Sequence, residues 1–345
     1  MEIEEIKDFL GSYSGPQMKI MEICGSHTGA IHKNGIPGLL SDNIELISGP
    51  GCPVCVTPSS YIDKLVEISK EEKKTVVTFG DLMRVPGSRE SLSEAMGRGG
   101  KVKMAYSPMD IVKFAKEEPD MQFIFAAIGF ETTSPVYALL VDTLIQEGLK
   151  NVKILTAMKT MEMAVDYICR SGSGINGFIA PGHVCVIAGS KEFEALAEKY
   201  ALPFVVSGFK GEELLKTLYL LVKNRGRGRV VNAYGSVVTR NGNQQAQELV
   251  NKYFEKCDTV WRGIGELKGS GLALRKDYAE FDAGSRELKE DIKLNRACSC
   301  DKVIVGAMKP KECPLFGKVC TPMTPQGACM VSPEGTCNTY YSGEN

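Results

Sequence analysis

The sequence has almost no net charge, formally −1 at pH 7 over 345 residues. It therefore lacks the basic surplus that would attract it to nucleic acid or to an anionic membrane. It also lacks any apolar run near the roughly 20 residues that a membrane-spanning helix needs. Residues 1–20 are acidic and amphipathic, without the basic start and apolar stretch of a secretory signal. Nucleic acid and membranes are not expected as partners, and a cytoplasmic location is expected.

Histidine is scarce, with three residues, whereas cysteine is abundant, with twelve. Stable structural disulfides are rare in a reducing cytoplasm, so these cysteines are expected to be buried apolar residues, metal ligands or redox groups. Half of them crowd between residues 298 and 337. Three more, Cys24, Cys52 and Cys55, lie in glycine-rich segments. This uneven distribution favours metal ligands or redox groups over buried apolar residues.

Short apolar runs alternate with helical patterns between about residues 60 and 225. FIFAAIG (123–129) has the length of a central parallel strand, and TSPVYALLVDTLIQEG (133–148) is typical of a helix that ends at a glycine. Repeated strand–helix units predict an α/β fold with parallel sheets, arranged as one large sheet or as two domains. We favour two domains. SPMDIVKFAK (107–116) predicts a helix that starts at Ser107, with a proline in its first turn, and a further helix is predicted over residues 243–257.

The predicted organisation has four parts. Residues 1–118 and 119–228 are expected to form two parallel-sheet α/β domains. Residues 229–290 are expected to form an α/β segment that packs back on the first domain. Residues 291–345 are expected to form a small irregular, cysteine-rich iron–sulfur segment. The basic, glycine-rich stretch 223–229 is either a linker or a solvated loop.

The C-terminal segment is broken by prolines and cannot build a large core, so thiolate ligands to a metal would stabilise it. Zinc and iron–sulfur clusters both accept four thiolates. Zinc sites usually contain two Cys-x2–4-Cys pairs, whereas Cys298 and Cys300 are separated by one residue. The wide, irregular spacing favours a cubane cluster, with zinc or free thiols as alternatives. Spacing alone does not say which four of the six cysteines bind it.

The motif GPGCPVC (49–55) places Cys52 and Cys55 on a predicted strand-to-helix turn. A Cys-x-x-Cys pair with an intervening proline is typical of a redox dithiol, and a helix N-terminus lowers the pKa of a thiol. Half of a zinc site and a merely tight turn are the alternatives.

Cys24 and His27, in CGSHTG (24–29), follow the strand-like KIMEIC (19–24). The carboxyl ends of strands are where open α/β sheets bind ligands. A thiolate and an imidazole suit iron, copper or zinc, and they also form the pair in which histidine activates a cysteine nucleophile. A turn in which the histidine caps a carbonyl is the structural alternative.

Two further turns follow predicted strands. GFETTSP (129–135) offers Glu131, and APGHV (180–184) offers His183. Both residues are candidates for the same site. Helix capping before Pro135 and a hydrogen-bonded turn histidine are the alternatives.

Together these motifs resemble the HypD family of [NiFe]-hydrogenase maturation factors. The resemblance rests on CGSHT, GPGCPVCVTP, GFETTSP, APGHV and the tail CPLFGKVCTP…CMVSPEGTC, and it runs from about residue 20 to residue 341. It implies a redox-active assembly scaffold, with no turnover activity assigned, that carries an iron with a small HypC-type partner. It further implies that HypE and HypF supply cyanide, and that the finished Fe(CN)2CO unit passes to the hydrogenase large subunit.

The resemblance also implies residue roles. Cys24 would bind the iron together with a cysteine of the partner, and His27 would be a ligand or proton donor beside it. Cys52 and Cys55 would be the redox dithiol. The family's spacing selects four ligands of a [4Fe–4S] cluster and leaves Cys300 and Cys329 spare, although either could replace a neighbouring ligand. The four ligands are Cys298, Cys313, Cys320 and Cys337.

Two other functions compete with this one. A stand-alone iron–sulfur disulfide reductase would explain the cysteine-rich tail and the CPVC motif, but not Cys24 and His27. A zinc-containing interaction module would explain the tail alone. The sequence has no Walker-type phosphate-binding loop, so no nucleotide site is predicted.

Overall fold

The computed structural model describes residues 2–288, 291–292 and 295–343. Within these ranges strands and helices alternate along most of the chain, as the sequence predicts. The strands are β1 Met18–Glu22, β2 Ile44–Ser48, β3 Lys74–Thr78, β4 Val102–Met104, β5 Gln122–Gly129, β6 Val152–Lys159, β7 Gly177–Pro181, β8 Phe204–Ser207, β9 Val230–Asn232, β10 Phe254–Trp261 and β11 Gly265–Leu274.

The helices pack on both sides of these strands. They are α1 Ile3–Gly11, α2 Gly25–Lys33, α3 Pro53–Val56, α4 Ser59–Ser69, α5 Gly80–Met83, α6 Leu92–Gly97, α7 Asp110–Glu117, α8 Ser134–Gln146, α9 Met161–Arg170, α10 Gly182–Ala188, α11 Glu194–Tyr200, α12 Gly211–Lys223, α13 Gln244–Tyr253, α14 Cys300–Ile304 and α15 Thr336–Ser342. In the part of the chain that the structure describes, none of them is both long and apolar enough to cross a bilayer.

The described strands form two sheets. The first sheet is parallel throughout, in the order β2-β1-β7-β8-β9. The second has the order β10-β11-β6-β5-β3-β4, parallel from β6 to β4, with β11 antiparallel to both β6 and β10. The predicted α/β class with two parallel-rich sheets and a cysteine-rich C-terminal region is confirmed.

The chain moves back and forth between the sheets. After β1 and β2 it leaves the first sheet, builds β3 to β6 in the second, and returns for β7 to β9. The hairpin β10–β11 then extends the second sheet next to β6. The division at residues 118 and 228 stays a prediction, but the strand pairing does not follow those boundaries.

Strand β5 shows why the central runs are apolar at every position. Ile124, Ala126 and Ile128 belong to a core that also includes residues of the first sheet, whereas Phe123 and Phe125 pack under α7, α8 and α13 on the opposite face. Because side chains alternate across a strand, a strand covered on both faces needs no polar positions.

Two predicted helix boundaries are wrong. The helix expected over 243–257 ends at Tyr253, because Phe254 is buried and pairs with Leu274 in the antiparallel hairpin. The helix predicted to start at Ser107 begins at Asp110, whose carboxylate instead accepts the backbone N–H groups of Tyr106 and Ser107. Tertiary pairing and a local turn override the helical pattern.

The C-terminal segment is less separate than its composition suggests. Ala328, Met330 and Val331 are buried in the core that also contains Met21 and Ile23 at the end of β1. The segment therefore packs against the carboxyl end of the first sheet, where the predicted site residues begin.

Candidate functional site

Cys24 lies where three parts of the chain meet. It is the residue before α2, directly after β1, and it is 8% exposed. A Cβ on Gly51 would lie 2.4 Å from the Cys24 nitrogen, and a Cβ on Gly25 would lie 2.4 Å from the Glu334 oxygen. Only glycine allows these approaches, so Gly51 brings the GPGCPVC loop against Cys24, and Gly25 lets the C-terminal segment approach the next residue.

Glu22 is a site residue that the sequence reasoning missed. Its buried carboxylate accepts the Cys24 backbone N–H at 2.9 Å and the Thr28 hydroxyl. Burial raises the pKa of Glu22 to about 8, although the hydrogen bonds from Thr28 and Cys24 act in the opposite direction. The glutamate inside the apolar run KIMEIC could have indicated this role, because a glutamate is rarely buried unless its carboxyl group has a specific partner.

The Cys24 thiol is protonated at neutral pH. Burial, followed by the nearby Glu22 carboxyl, raises the pKa of Cys24 to about 12. A metal that binds this sulfur must therefore displace its proton.

His27 points away from solvent toward the end of β8. Its Nε2 lies 3.1 Å from the Gly208 carbonyl oxygen, and its ring stacks on Phe209. Because that oxygen can only accept, Nε2 carries the hydrogen. Burial lowers the pKa of His27 to about 4, so the ring is neutral at pH 7. Among the described residues, Nδ1 has no hydrogen-bond partner.

His183 belongs to the same aromatic group. Its exposed ring stacks on Phe209 at a centroid distance of 4.1 Å, so Phe209 contacts both histidines. The strand order explains this meeting: β1, β7 and β8 are neighbours, and their carboxyl ends lie on one edge of the first sheet.

The predicted dithiol is a disulfide in this structure, joining Cys52 to Cys55. Cys52 precedes α3 and its sulfur accepts the Cys55 backbone N–H. The Cys55 sulfur lies 3.9 Å from the Ala328 carbonyl oxygen of the C-terminal segment. The disulfide is therefore in contact with the cysteine-rich region.

The six C-terminal cysteines line one small, largely enclosed cavity, closed by apolar side chains such as Phe316 and Met330. Within it, the sulfurs of Cys300 and Cys329 are 2.9 Å apart. The remaining four are those that the family resemblance assigns to a cluster: Cys298, Cys313, Cys320 and Cys337.

A single metal ion and a cluster need different arrangements of their thiolate ligands. Among the described residues, no three His, Cys, Asp or Glu side chains surround one point closely enough to hold one metal ion. A [4Fe–4S] cluster distributes its four thiolates over four irons, so its ligands need only line a common space. The four cysteines could meet that requirement.

Glu131 follows β5 in the second sheet, whereas Cys24 follows β1 in the first. Its Oε1 accepts the Met161 backbone N–H at 2.7 Å, and burial raises the pKa of Glu131 to about 7. Oε2 has no hydrogen-bond partner in the described ranges. Glu131 lines a cleft of about 450 Å³ between α10 and β10, whereas Glu22 lines a different cavity of about 500 Å³. The structure thus brings the disulfide loop and the cysteine-rich segment to the Cys24–Gly25 turn, whereas Glu131 lines a cleft of its own.

Comparisons with known proteins agree over most of the chain. The HypD family model, described as "Hydrogenase formation hypA family", matches residues 2–344. The hydrogenase maturation factors HypD of Azotobacter vinelandii and Rhizobium leguminosarum bv. viciae are 40% and 41% identical to the chain; the alignments cover 94% and 93% of the chain and 89% and 87% of those proteins. The hydrogenase maturation factor HypD of Cupriavidus necator is 38% identical, over 95% of the chain and 90% of that protein.

Proposed function

Since the chain belongs to the HypD family and acts in hydrogenase maturation, we propose that it is the scaffold on which the Fe(CN)2CO unit of the [NiFe]-hydrogenase active site is assembled. The observation that carries this proposal is the position of Cys24, which contacts Gly51 of the disulfide loop and is followed by Gly25, which contacts Glu334 of the C-terminal segment. Iron is the cargo of this site.

Cys24 supplies a thiolate to the iron, and a cysteine of a HypC-type partner supplies another. Thiolates donate the electron density that a low-spin iron(II) needs to bind cyanide and CO. Because the thiol is protonated in the free protein, iron binding releases a proton. His27 acts through Nδ1, since Nε2 is held by Gly208.

Electrons reach the site through the dithiol. The Cys52–Cys55 disulfide takes up two electrons and two protons and becomes two thiols. The dithiol returns them to a thiocyanate, R–S–CN, delivered by HypE: the S–CN bond breaks, R–SH and HCN leave, and the disulfide re-forms. HypF acts upstream of HypE in making that group.

A [4Fe–4S] cluster would be held by the four cysteines that the family resemblance assigns to it, and it would supply electrons one at a time. Cys300 and Cys329 line the same cavity, where their sulfurs are 2.9 Å apart. His183 shapes the surface beside the site through its stacking on Phe209, and Glu131 shapes the cleft between α10 and β10. The cytoplasmic location stays a prediction.

The second candidate is a stand-alone iron–sulfur disulfide reductase. The contact between the disulfide and the cysteine cavity favours it. It assigns no role to the buried Glu22–Cys24 arrangement.

The deciding measurement is an infrared spectrum of the protein purified anaerobically with its small partner from cells that make the other maturation factors. We expect CN and CO stretches of a metal-bound unit, and we expect Cys24→Ala to lose them. Cys169→Ala is the matched control, because Cys169 lies in α9 and lines neither of the cavities that contain the C-terminal cysteines. Full bands in the Cys24 variant would rule out the role of Cys24. Cluster absorption without such bands, despite bound partner, would favour the disulfide reductase.

A further inference from the structure

Arg262 is a buried arginine in the turn between β10 and β11, and it is 7% exposed. Its Nε donates to the Thr57 carbonyl at 2.6 Å and its Nη2 donates to the Pro86 carbonyl at 3.0 Å. Its backbone N–H donates to the Val56 carbonyl at 2.8 Å. Val56 and Thr57 directly follow Cys55, so Arg262 binds the end of the disulfide element through both its backbone and its side chain.

The same side chain faces the cysteines. Arg262 lines a small cavity together with Cys298 and Cys300, which also line the neighbouring cavity of six cysteines. Among the described residues that line these two cavities, Arg262 is the only lysine or arginine. Two carboxylates, Asp291 and Asp301, lie in the first cavity; the oxygens of Asp291 accept the backbone N–H groups of Ser59 and Gly263.

The charge of Arg262 is important because the cysteines would hold an anionic iron–sulfur cluster. A cluster with four thiolates carries net negative charge, and burying that charge is unfavourable unless a counter-charge is near. Reduction adds a further negative charge, so a fixed cation raises the reduction potential. A guanidinium suits this task because it does not lose its proton in proteins. Its carbonyl partners fix its position without neutralising it.

We propose that Arg262 is a positioning residue that anchors the disulfide element against the cysteine cavity and sets the reduction potential of the cluster as its buried counter-charge. The inference rests on the cluster in the proposed function. Arg262 binds no substrate and transfers no atom.

The test is a redox titration of the anaerobically purified full-length protein with dithionite, followed by electron paramagnetic resonance. Dithionite gives one electron to the cluster, and no bond forms or breaks. Arg262→Gln should make cluster reduction at least about tenfold less favourable, a shift of about 59 mV to more negative potential for a one-electron couple. Arg262→Lys keeps the charge and should stay within about threefold of the wild type.

Arg84→Gln is the matched control. Arg84 donates to the Pro322 carbonyl of the same segment at 3.1 Å but is exposed, so water screens its charge. We expect less than about a twofold change. An Arg262→Gln protein with a lower melting temperature but an unchanged potential would show that Arg262 is only structural, and would overturn the proposal.

Gln326→Lys decides the question if Arg262→Gln does not fold. Gln326 is half-buried in the same cavity as Arg262, so lysine there adds a second cation while the contacts of Arg262 with Thr57 and Pro86 stay in place. The potential should then move to more positive values; no shift would overturn the inference. If the wild-type protein contains no cluster, both this inference and the proposed electron path are wrong. If the cluster is present but neither substitution changes its potential, only this inference is wrong.

Discussion

The structure buries the carboxyl groups of Glu22 and Glu131. For Glu131 we predict that the free energy of unfolding depends on pH. Its pKa is about 7 in the folded protein and 4.5 without burial. Because the folded pKa is raised, its stabilising contribution is complete below about pH 4.5 and is lost as the pH rises through 7. Between pH 5 and pH 8 we expect the wild type to lose about 1–3 kcal/mol of unfolding free energy that Glu131→Gln retains.

Urea denaturation across this pH range measures the difference. Glu248→Gln, at an exposed position on α13, is the control and should follow the wild type. Parallel curves for the wild type and Glu131→Gln would contradict the prediction.

At the residue scale, the sequence identifies reactive side chains but not the atoms they meet. Cys24, the dithiol and the six clustered cysteines stand out by type and spacing. The partner of His27 does not, because Gly208 is 181 residues away and comes close only when β8 lies near β1. Glu22 and Arg262 were missed because their roles depend on burial.

Helix α2 allows a test of the contact that forms the site, because it contains two glycines in different surroundings. Gly25→Ala would place a Cβ 2.4 Å from the backbone carbonyl oxygen of Glu334, whereas a Cβ on Gly29 meets nothing within 4 Å. We expect Gly25→Ala to destabilise by about 1–3 kcal/mol through overpacking. Gly29→Ala should stabilise by about 0.5–1 kcal/mol through its better helix propensity.

Thermal melts measure these opposite signs, and thiol labelling of Cys24 reports whether the C-terminal segment has moved. Faster labelling is expected in Gly25→Ala alone. Equal stabilisation by both substitutions would mean that the Gly25–Glu334 contact is not tight.

Element types were predictable where the chain is periodic and buried. The strand predicted for FIFAAIG is β5, and the helix predicted after it is α8. The prediction failed at residues 254–257, where a helical pattern continues but Phe254 pairs with Leu274 across a hairpin. Propensity describes a segment alone, whereas pairing depends on a strand that comes later in the chain.

At the scale of the whole molecule, the exchange of strands between sheets predicts that residues 1–118 do not fold alone. This fragment contains β1 to β4 but lacks β7, which pairs with β1, and β5, which pairs with β3. Each sheet would be reduced to one parallel pair, too small to be stable. We expect no cooperative melt by circular dichroism.

Mixing this fragment with residues 119–345 should restore a cooperative transition. A sharp melt of the fragment by itself would contradict the prediction and would support a boundary near residue 118. Fold class was predictable from the alternation of strands and helices, but strand order was not, because parallel strands can be joined in many orders that share one pattern.

The back-and-forth path also has a consequence during protein synthesis. After β2 leaves the ribosome, roughly 130 residues must be translated before β7 arrives beside β1, on the order of ten seconds at usual elongation rates. Until then β1 has an unpaired edge, and chaperones bind such edges in nascent chains. Gly25, next to Cys24, is translated early but meets Glu334 only when the last forty residues dock. The surroundings of Cys24 are therefore completed only after the whole polypeptide has been made.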